Sequence, residues 1–580
     1  MESLLGFLLD HLSVPLRGLA VTAQSLAVGG VTFLLLLAVP IAPCLSTALG
    51  SAVLRRAGCI TAWAGLVVAL VALARIALQL AALVGEIGIP LGRALGAGFV
   101  SSWGAQIVAG IAIAALLQWG RRPLGAKTMA GLVIAALVII GGSIATSHAA
   151  GRLDLGLLLG VATALHELGA AVWIGGLPCF LATLALAGAD GASLRAVGRR
   201  YSLISMVGVA AVAAAGVVLA VAYVGSWSAL YSTAYGLTTG VKIALFLALL
   251  GLGTANYRIV ERLRRDPTTP ALRLRRFAEI ELVIGVAAFL TAASLTSAPP
   301  GIDVTENRIT PAEIVERVWP PAPRLRSPTL DTTVLFSPLQ VRPDLPETAP
   351  RGAQTLPPLG NVFDAAWSEF EHDWAGLLLF AIGGLAIAER FGLPWGRRWP
   401  LLFLAFAIFL AIEAESGLAI RMLLDIGPPK KLGGTIDAQH HAIVRYYVTV
   451  LVALALTVLG LCEWGVRTGW IKDPRAAQVF PLACVGVALM LLSHGHTASD
   501  PKGALLIAIS HNLVALLGLG AGSSRWIELR MAGSRAGQVA AWVWPMFFLA
   551  IGLVLLGYRE GPSPDGWLQP GSIPERDATG

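Results

Sequence analysis

Residues 202–224 read SLISMVGVAAVAAAGVVLAVAYV, a stretch without a single Asp, Glu, Lys or Arg. At 1.5 Å per residue, a helix of this length crosses the roughly 30 Å hydrocarbon core of a lipid bilayer. A membrane-spanning β-strand would be about ten residues long and would alternate between apolar and polar side chains, which this stretch does not do. The stretch therefore predicts a membrane-spanning helix.

Runs of the same kind recur along the whole 580-residue chain, which is 56% hydrophobic and only 13% charged. A soluble protein of this length would carry about twice that charged fraction. We place fourteen candidate spans at residues 17–41, 59–83, 99–118, 128–147, 156–187, 202–224, 237–256, 278–297, 374–390, 399–417, 442–464, 478–493, 503–520 and 538–557. The sequence predicts an all-α polytopic membrane protein with eight spans followed by six.

A proline-rich segment separates the two sets of spans. It holds more than a third of the 33 prolines, and proline excludes most of it from helical structure. We expect one short helix in ITPAEIVERVW, with Thr310 as N-cap and Pro311 in the first position, and an extended strand in TTVLFSPLQV. The predicted organisation is a membrane domain at 1–297, a periplasmic linker at 298–373, a second membrane domain at 374–558 and a periplasmic tail at 559–580.

Basic residues are concentrated in alternate loops. More than half of the 42 lysines and arginines lie in seven loops: LRRAG, GRRPLGAK, RAVGRR, RIVERLRRDPTTPALRLRR, ERFGLPWGRR, VRTGWIKDPR and SRWIELRMAGSR. Basic loops stay on the cytoplasmic side, so both termini and the other loops are predicted to face the periplasm. The net charge of +8 therefore reflects topology, and we expect no nucleic-acid partner.

The nine histidines all avoid these basic loops, and two stretches place them alike: TSHAAGRLDLGLLLGVATALHELGA at 146–170 and LSHGHTASDPKGALLIAISHNLVA at 492–515. Each stretch has a Ser-His pair at the outer end of one span. A second histidine, His166 or His511, lies in the next span, roughly 12–15 Å below the outer boundary at 1.5 Å per residue.

Neutral imidazole binds copper and zinc well, and an ionisable residue inside a helical bundle is a candidate functional residue. The candidate metal ligands are His148, His166, His372, His440, His441, His494, His496 and His511. Together they predict a path for a metal ion that enters from outside. A single membrane histidine often serves only as a helix–helix hydrogen-bonding residue, and His372, in the rim WSEFEHDWAG, suits interfacial anchoring equally well. Lys242 is expected either to extend outward or to pair with Glu167.

The first half resembles the copper resistance protein D (CopD) family, over roughly residues 15–300. The resemblance rests on SHAA, HELGAAVWIGGL, YGLTTGVK, Asn256 and LTSAPPGID. HDWAG, EWGVRTG and SHGH in the second half are similar to a C-terminal extension of some proteobacterial members. The family implies a multi-pass protein of the bacterial inner membrane that moves copper ions from periplasm to cytoplasm, with a periplasmic copper chaperone as a further partner. The chain has only seven methionines, which favours imidazole over thioether ligands.

Two other functions remain open at this point. His166 and His511, at similar depth, are candidate axial ligands of a b-type haem, which would make the protein a membrane cytochrome. A copper-delivery factor for respiratory oxidase assembly would bind copper outside without transporting it. The sequence shows neither an ATP-binding loop nor a nucleophile–base pair in a polar domain, so we expect no enzyme activity.

The topology has a direct test. A reporter fused after Gly580 should give a periplasmic signal, because an even number of spans puts both termini on the same side. A reporter inserted between Arg265 and Leu272 should give a cytoplasmic signal, because this loop is one of the seven basic loops. A cytoplasmic signal at Gly580 would require an odd number of spans.

Overall fold

The computed structural model describes residues 2–85, 87–118, 124–152, 155–266, 269–305, 308–318, 322–326, 359–413, 436–493 and 501–559. Regular structure in these residues is helical throughout, without any strand. Fourteen helices are long and apolar enough to cross a membrane, by length and composition, which confirms the predicted all-α polytopic class. Numbered 1 to 14, the spans are Leu12–Cys44, Thr47–Gly85, Gly98–Leu117, Ala126–Ala145, Gly156–Ala187, Gly191–Val224, Ala234–Arg265, Leu272–Leu295, Ser368–Arg390, Pro394–Ile412, Thr449–Thr468, Pro474–Ser493, Leu505–Arg530 and Arg535–Leu556.

Several helices extend beyond these limits or lie outside them. The helices that contain spans 1, 9, 11 and 13 begin earlier, at Glu2, Leu359, Ile436 and Pro501. Three short helices lie between spans: Leu91–Leu95, Trp227–Ser232 and Pro311–Val318.

The chain forms two compact units. Unit 1 comprises Met1–Arg308 together with Leu489–Thr497, and unit 2 comprises Ile309–Ala488 together with Ala498–Gly580. Eight of the fourteen spans end before residue 296 and six begin after residue 367. The linker and the exact domain limits drawn from the sequence stay predictions.

The short helix expected after span 8 is present at Pro311–Val318. Thr310 and Glu313 bond reciprocally: the Thr310 amide donates to the Glu313 carboxylate at 2.7 Å, and the Glu313 amide donates to the Thr310 hydroxyl at 3.3 Å. This is a capping box, in which two side chains satisfy amides that lack an intrahelical acceptor. The prediction of this helix is confirmed, whereas the strand expected in TTVLFSPLQV, at 332–341, lies outside the described residues.

Glycines set the closest helix approaches in unit 1. A Cβ on Gly169 of span 5 would stand 2.7 Å from the carbonyl oxygen of Gly208 on span 6, and a Cβ on Gly208 would stand 2.8 Å from that of Gly169. Spans 2 and 3 meet in the same way at Gly65 and Gly110. Without a hydrophobic driving force between helices in lipid, small residues that admit backbone contact supply much of the packing.

Span 5 contains a π-helical turn at Ala171–Gly175. Gly175 of this turn lies against Ser25 and Gly29 of span 1, where any side chain would collide with backbone. A π turn redirects backbone carbonyls, and here the Trp173 carbonyl accepts a hydrogen bond of 2.6 Å from the Tyr201 hydroxyl. The turn thereby brings spans 1, 5 and 6 into one packed group.

Unit 2 is held at one end by buried ion pairs. The Glu463 carboxylate of span 11 accepts from Arg525 of span 13 at 2.7 Å and from Arg467 at 3.1 Å. Arg467 also pairs with Glu389 of span 9 at 2.7 Å, and Arg525 with Glu528 at 2.7 Å. Each charge has an opposite charge beside it, as burial in an apolar environment requires. The network ties spans 9, 11 and 13 together beside the basic loops.

Gly169→Val should lower the thermal unfolding midpoint, since overpacking of a close contact costs about 1–3 kcal/mol. Gly141→Ala is the matched control, because a Cβ at Gly141 meets nothing within 4 Å. The control should leave the midpoint unchanged or raise it slightly, since alanine is the better helix former. Equal midpoints for the two variants, measured on detergent-solubilised protein, would show that the Gly169–Gly208 contact is loose.

Candidate functional site

Two of the predicted ligands lie together in unit 2. The rings of His372 on span 9 and His511 on span 13 have centroids 5.8 Å apart. Tyr558, just after span 14, stacks on His372 at 4.0 Å and meets the edge of His511 at 5.8 Å. Three rings from three different spans or their ends thus form one ring cluster, which we define as His372, His511 and Tyr558.

Both imidazoles of the ring cluster are oriented by their own helices. Nδ1 of His372 lies 2.7 Å from the Ser368 carbonyl, and Nδ1 of His511 lies 3.0 Å from the Ile507 carbonyl. A carbonyl only accepts, so in the neutral ring Nδ1 carries the proton and the lone pair is on Nε2. Metal-binding histidines commonly donate their other nitrogen to a carbonyl in this manner, which fixes the tautomer and the ring plane.

The acidic rim around His372 is paired with arginines. Asp373, fully buried, accepts from the backbone amide of Arg324 at 2.6 Å and from the Arg559 guanidinium at 3.2 Å. Glu369 pairs with the Arg324 guanidinium at 2.8 Å. These contacts attach residues 322–326 and Arg559 to span 9. The carboxylates therefore serve to fix the chain around His372, and the arginines offset their charge.

In unit 1, His148 begins the 3₁₀ turn His148–Gly151 that follows span 4. Its ring lies 6.2 Å from that of Tyr223, which in turn lies 6.0 Å from Tyr235. The Nε2 atom is buried and has no hydrogen-bond partner among the described residues. A buried nitrogen without a partner is costly, and such an atom is a candidate ligand.

His166 lies further along span 5, half-buried against span 6. Its Nδ1 is 3.2 Å from the Val212 carbonyl, so the neutral ring again has its lone pair on Nε2. The neighbouring Glu167 accepts from the Ser143 hydroxyl at 2.8 Å, and Ser143 accepts from Gln24 at 3.2 Å. Among the described residues, no ion pair joins Glu167 to Lys242.

The remaining predicted ligands lie where the structure describes no side chains. His494 and His496 lie outside the described residues, and the side chains of His440 and His441, on the helix Ile436–Thr468, are likewise outside the description. Within the described part of the chain, no three His, Cys, Asp or Glu side chains stand close enough together to hold a metal ion. The set of eight histidine ligands therefore stays a prediction. Two of its members, His372 and His511, are neighbours in the structure.

A second polar cluster in unit 1 was not anticipated from the sequence. Glu281 of span 8 is buried, and its carboxylate accepts from the Trp173 indole at 2.8 Å and from the Asn256 amide at 2.7 Å. Trp173 and Asn256 both belong to the family resemblance, whereas Glu281, the second acid of the run EIELVIGV, lies outside it. Glu281 could have been found from the sequence, because an acidic residue within a span needs a partner or a function.

Comparison with known proteins identifies part of unit 1. Residues 195–295, most of spans 6 to 8, match the family model described as copper resistance protein D (CopD). No curated protein and no solved structure matches the chain. The match confirms the predicted resemblance to this family within residues 195–295, which contain Asn256 and Glu281 but not His148, His166 or the ring cluster.

His148 makes the stability of the metal-free protein depend on pH. Burial lowers its pKa, the nearby Arg17 charge adds to this, and a hydrogen bond with the Thr296 backbone opposes it. The unfolded chain, with a histidine pKa of about 6.5, then binds the proton more readily, so stability is lost as pH falls below that value. His148→Gln should show a smaller drop in unfolding midpoint between about pH 7.5 and 5.5 than the parent. An equal drop would assign the pH dependence to other groups.

Proposed function

We propose that this chain takes up copper ions at histidine sites on the predicted periplasmic side and conducts them across the membrane. The family match at residues 195–295 supports the link with copper, and the fourteen candidate spans support a transmembrane route. The observation that carries the proposal is the ring cluster. In it, His372 and His511 come from helices far apart in the sequence and are oriented alike.

Two imidazoles oriented by backbone carbonyls suit copper for a chemical reason. Imidazole nitrogen is a good ligand for copper, and a ring whose Nδ1 donates to a carbonyl is a stronger base at Nε2. Asp373 and Glu369 next to them are already paired with arginines. A copper ion at the ring cluster would therefore be bound through nitrogen and would leave again more easily than from an ionised carboxylate–thiolate site.

His148 and His166 offer corresponding nitrogens in unit 1. His148 lies in the turn after span 4 and His166 lies within span 5, so the two residues are at different depths in the same unit. In both units the proposed route thus begins with imidazole at the outer boundary. The direction of transport, from periplasm to cytoplasm, comes from the family resemblance alone.

Two alternative functions, a membrane cytochrome and a copper-delivery factor, predict different experimental results. In the ring cluster the two imidazoles and Tyr558 are in direct contact, which leaves no space for a macrocycle between them. A haem bound by His166 and His511 would give a Soret band in the purified protein. A copper-delivery factor would bind copper but show no uptake into sealed vesicles.

The test compares His372→Phe with Tyr558→Phe. Phenylalanine keeps a ring stacked on Tyr558 but removes the nitrogen. His372→Phe should lower copper affinity by about tenfold or more, because even the loss of a group that only orients a ligand costs about 10–100-fold. Copper affinity is measured by competition with a chelator on the purified full-length chain, and transport by copper uptake into proteoliposomes. His166→Leu should also reduce uptake, at little cost in folding because leucine is favourable in a span.

Tyr558→Phe is the matched control, since it preserves the stacking and removes only a hydroxyl. It should bind and transport copper like the parent. The proposal fails for the ring cluster if His372→Phe binds and transports copper normally. Lost uptake with unchanged unfolding midpoints separates a ligand from a packing residue.

A further inference from the structure

The Glu281 carboxylate borders a cavity in unit 1. The cavity has a volume of about 240 Å³ and is lined by side chains of spans 5 to 8, among them Trp173, Tyr201, Asn256 and Glu281. Glu281 is only 4% exposed, and the structure records no ion pair for it within the described residues. An ionised carboxylate without a countercharge in an apolar environment is costly, so it either binds a cation or takes up a proton.

A second cavity adjoins the first on the side of the basic loops. It has a volume of about 230 Å³ and shares Ser202, Tyr257 and Val260 with the first cavity. Its charged lining residues are Arg199, Glu261 and Arg264. At 1.5 Å per residue, Glu281 lies roughly 14 Å along span 8 from its start, and the two adjoining cavities lie between the basic boundary and this buried carboxyl.

Gly253 leaves space beside the carboxylate. A Cβ on Gly253 would stand 3.5 Å from Oε1 of Glu281 and 3.9 Å from the Trp173 ring. Any larger side chain at this position would fill the gap between the cavity and the acid. The carboxylate is therefore buried from bulk solvent but bordered by open volume.

Asn256 is suited to pair with Glu281 in both protonation states. Its Nδ2 donates to Oε2 of Glu281 at 2.7 Å, whereas its Oδ1 is buried without a hydrogen-bond partner in the described part of the chain. The amide carries donors on one side and an acceptor on the other. A rotation of the amide would present Oδ1 to the O–H of a protonated Glu281, so the same residue serves the acid and its conjugate base.

We propose that Glu281 is a proton-exchange site, loaded with protons from the basic-loop end through the two cavities. A hydronium ion loses one O–H bond and becomes water, and its proton forms a new O–H bond on one carboxylate oxygen and cancels one negative charge. A proton fits better than an alkali ion for two reasons. Among its lining residues the cavity offers a single carboxylate beside neutral oxygens of Asn256, Tyr201 and Ser205, and the adjoining cavity carries two arginines, which repel metal cations.

The other titratable groups around Glu281 are weaker acids or lie at the adjoining cavity, so Glu281 is the candidate for proton exchange. Tyr201 on span 6 and Tyr257 on span 7 are the other titratable side chains lining its cavity, and a phenol is a much weaker acid than a carboxyl group. Span 5 contributes the neutral Trp173 and, next to Tyr201, the Cys179 thiol. Arg199, Glu261 and Arg264 stand at the adjoining cavity.

The site does not rest on the proposed copper function, and its test contains no copper. Infrared difference spectra of the reconstituted full-length chain are recorded through a pH titration, in sodium chloride and in choline chloride. We expect a titrating carboxyl C=O band that is lost in Glu281→Gln and shifted in frequency in Asn256→Leu. It should persist in Glu167→Gln, the control for another acid within a span. The midpoint should be the same in both salts.

Other results would overturn the proposal. A titrating band that survives in Glu281→Gln would assign the proton to another group, and the lack of any such band would show that Glu281 does not exchange. A midpoint that moves by about one pH unit per tenfold change in sodium would identify an alkali-ion site. In oriented vesicles, a pH jump on the basic-loop side should shift the band faster than a jump on the other side, and the reverse order would exclude the proposed route.

Discussion

A polar group inside an apolar helix bundle needs a partner within the protein, and this requirement organises both units. Water is absent from a bilayer core, so each unpaired donor, acceptor or charge costs several kcal/mol. In unit 2 the Glu463 carboxylate lies between Arg467 and Arg525, and Asp373 lies against Arg559. In unit 1, Glu281 is bound by neutral donors alone. The carboxylates that are paired with arginines hold the fold together, whereas Glu281, which has only neutral donors, is the acid that we propose for proton exchange.

The same requirement explains how the histidines are presented. His166, His372 and His511 each place Nδ1 on a backbone carbonyl, although each lies on a different span. One nitrogen is thus used for structure, and the neutral ring keeps its lone pair on the other. Under the proposed function, these histidines would act as separate nitrogen ligands of modest affinity, because an ion that is bound too tightly does not leave.

The sequence predicted those features that depend on neighbouring residues. Apolar runs long enough to cross a bilayer have few other interpretations, so the number of candidate spans was predictable. The short helix after span 8 was also predictable, because Thr310 and Pro311 are a local start signal. Contacts between distant helices were not predictable in the same way. Tyr558 stacks on His372 across 186 positions of sequence, and the arginine partners of Asp373 lie before and after it at positions 324 and 559. Glu281 was overlooked because one acid hardly changes the mean hydropathy of its span.

The π turn at Ala171–Gly175 has a consequence for the tolerance of span 5 to insertion and deletion. Each residue added to or removed from a helix rotates everything beyond it by about 100°. The turn begins after Gly169, which faces span 6, and ends at Gly175, which faces span 1, so the two contacts depend on the register that the turn creates. Loss of one residue there would rotate Cys179 and Phe180 away from their neighbours while leaving the outer half in place. Homologous chains that differ in length should therefore carry their gaps in the loops, and the length of this helix should be constrained as tightly as its composition.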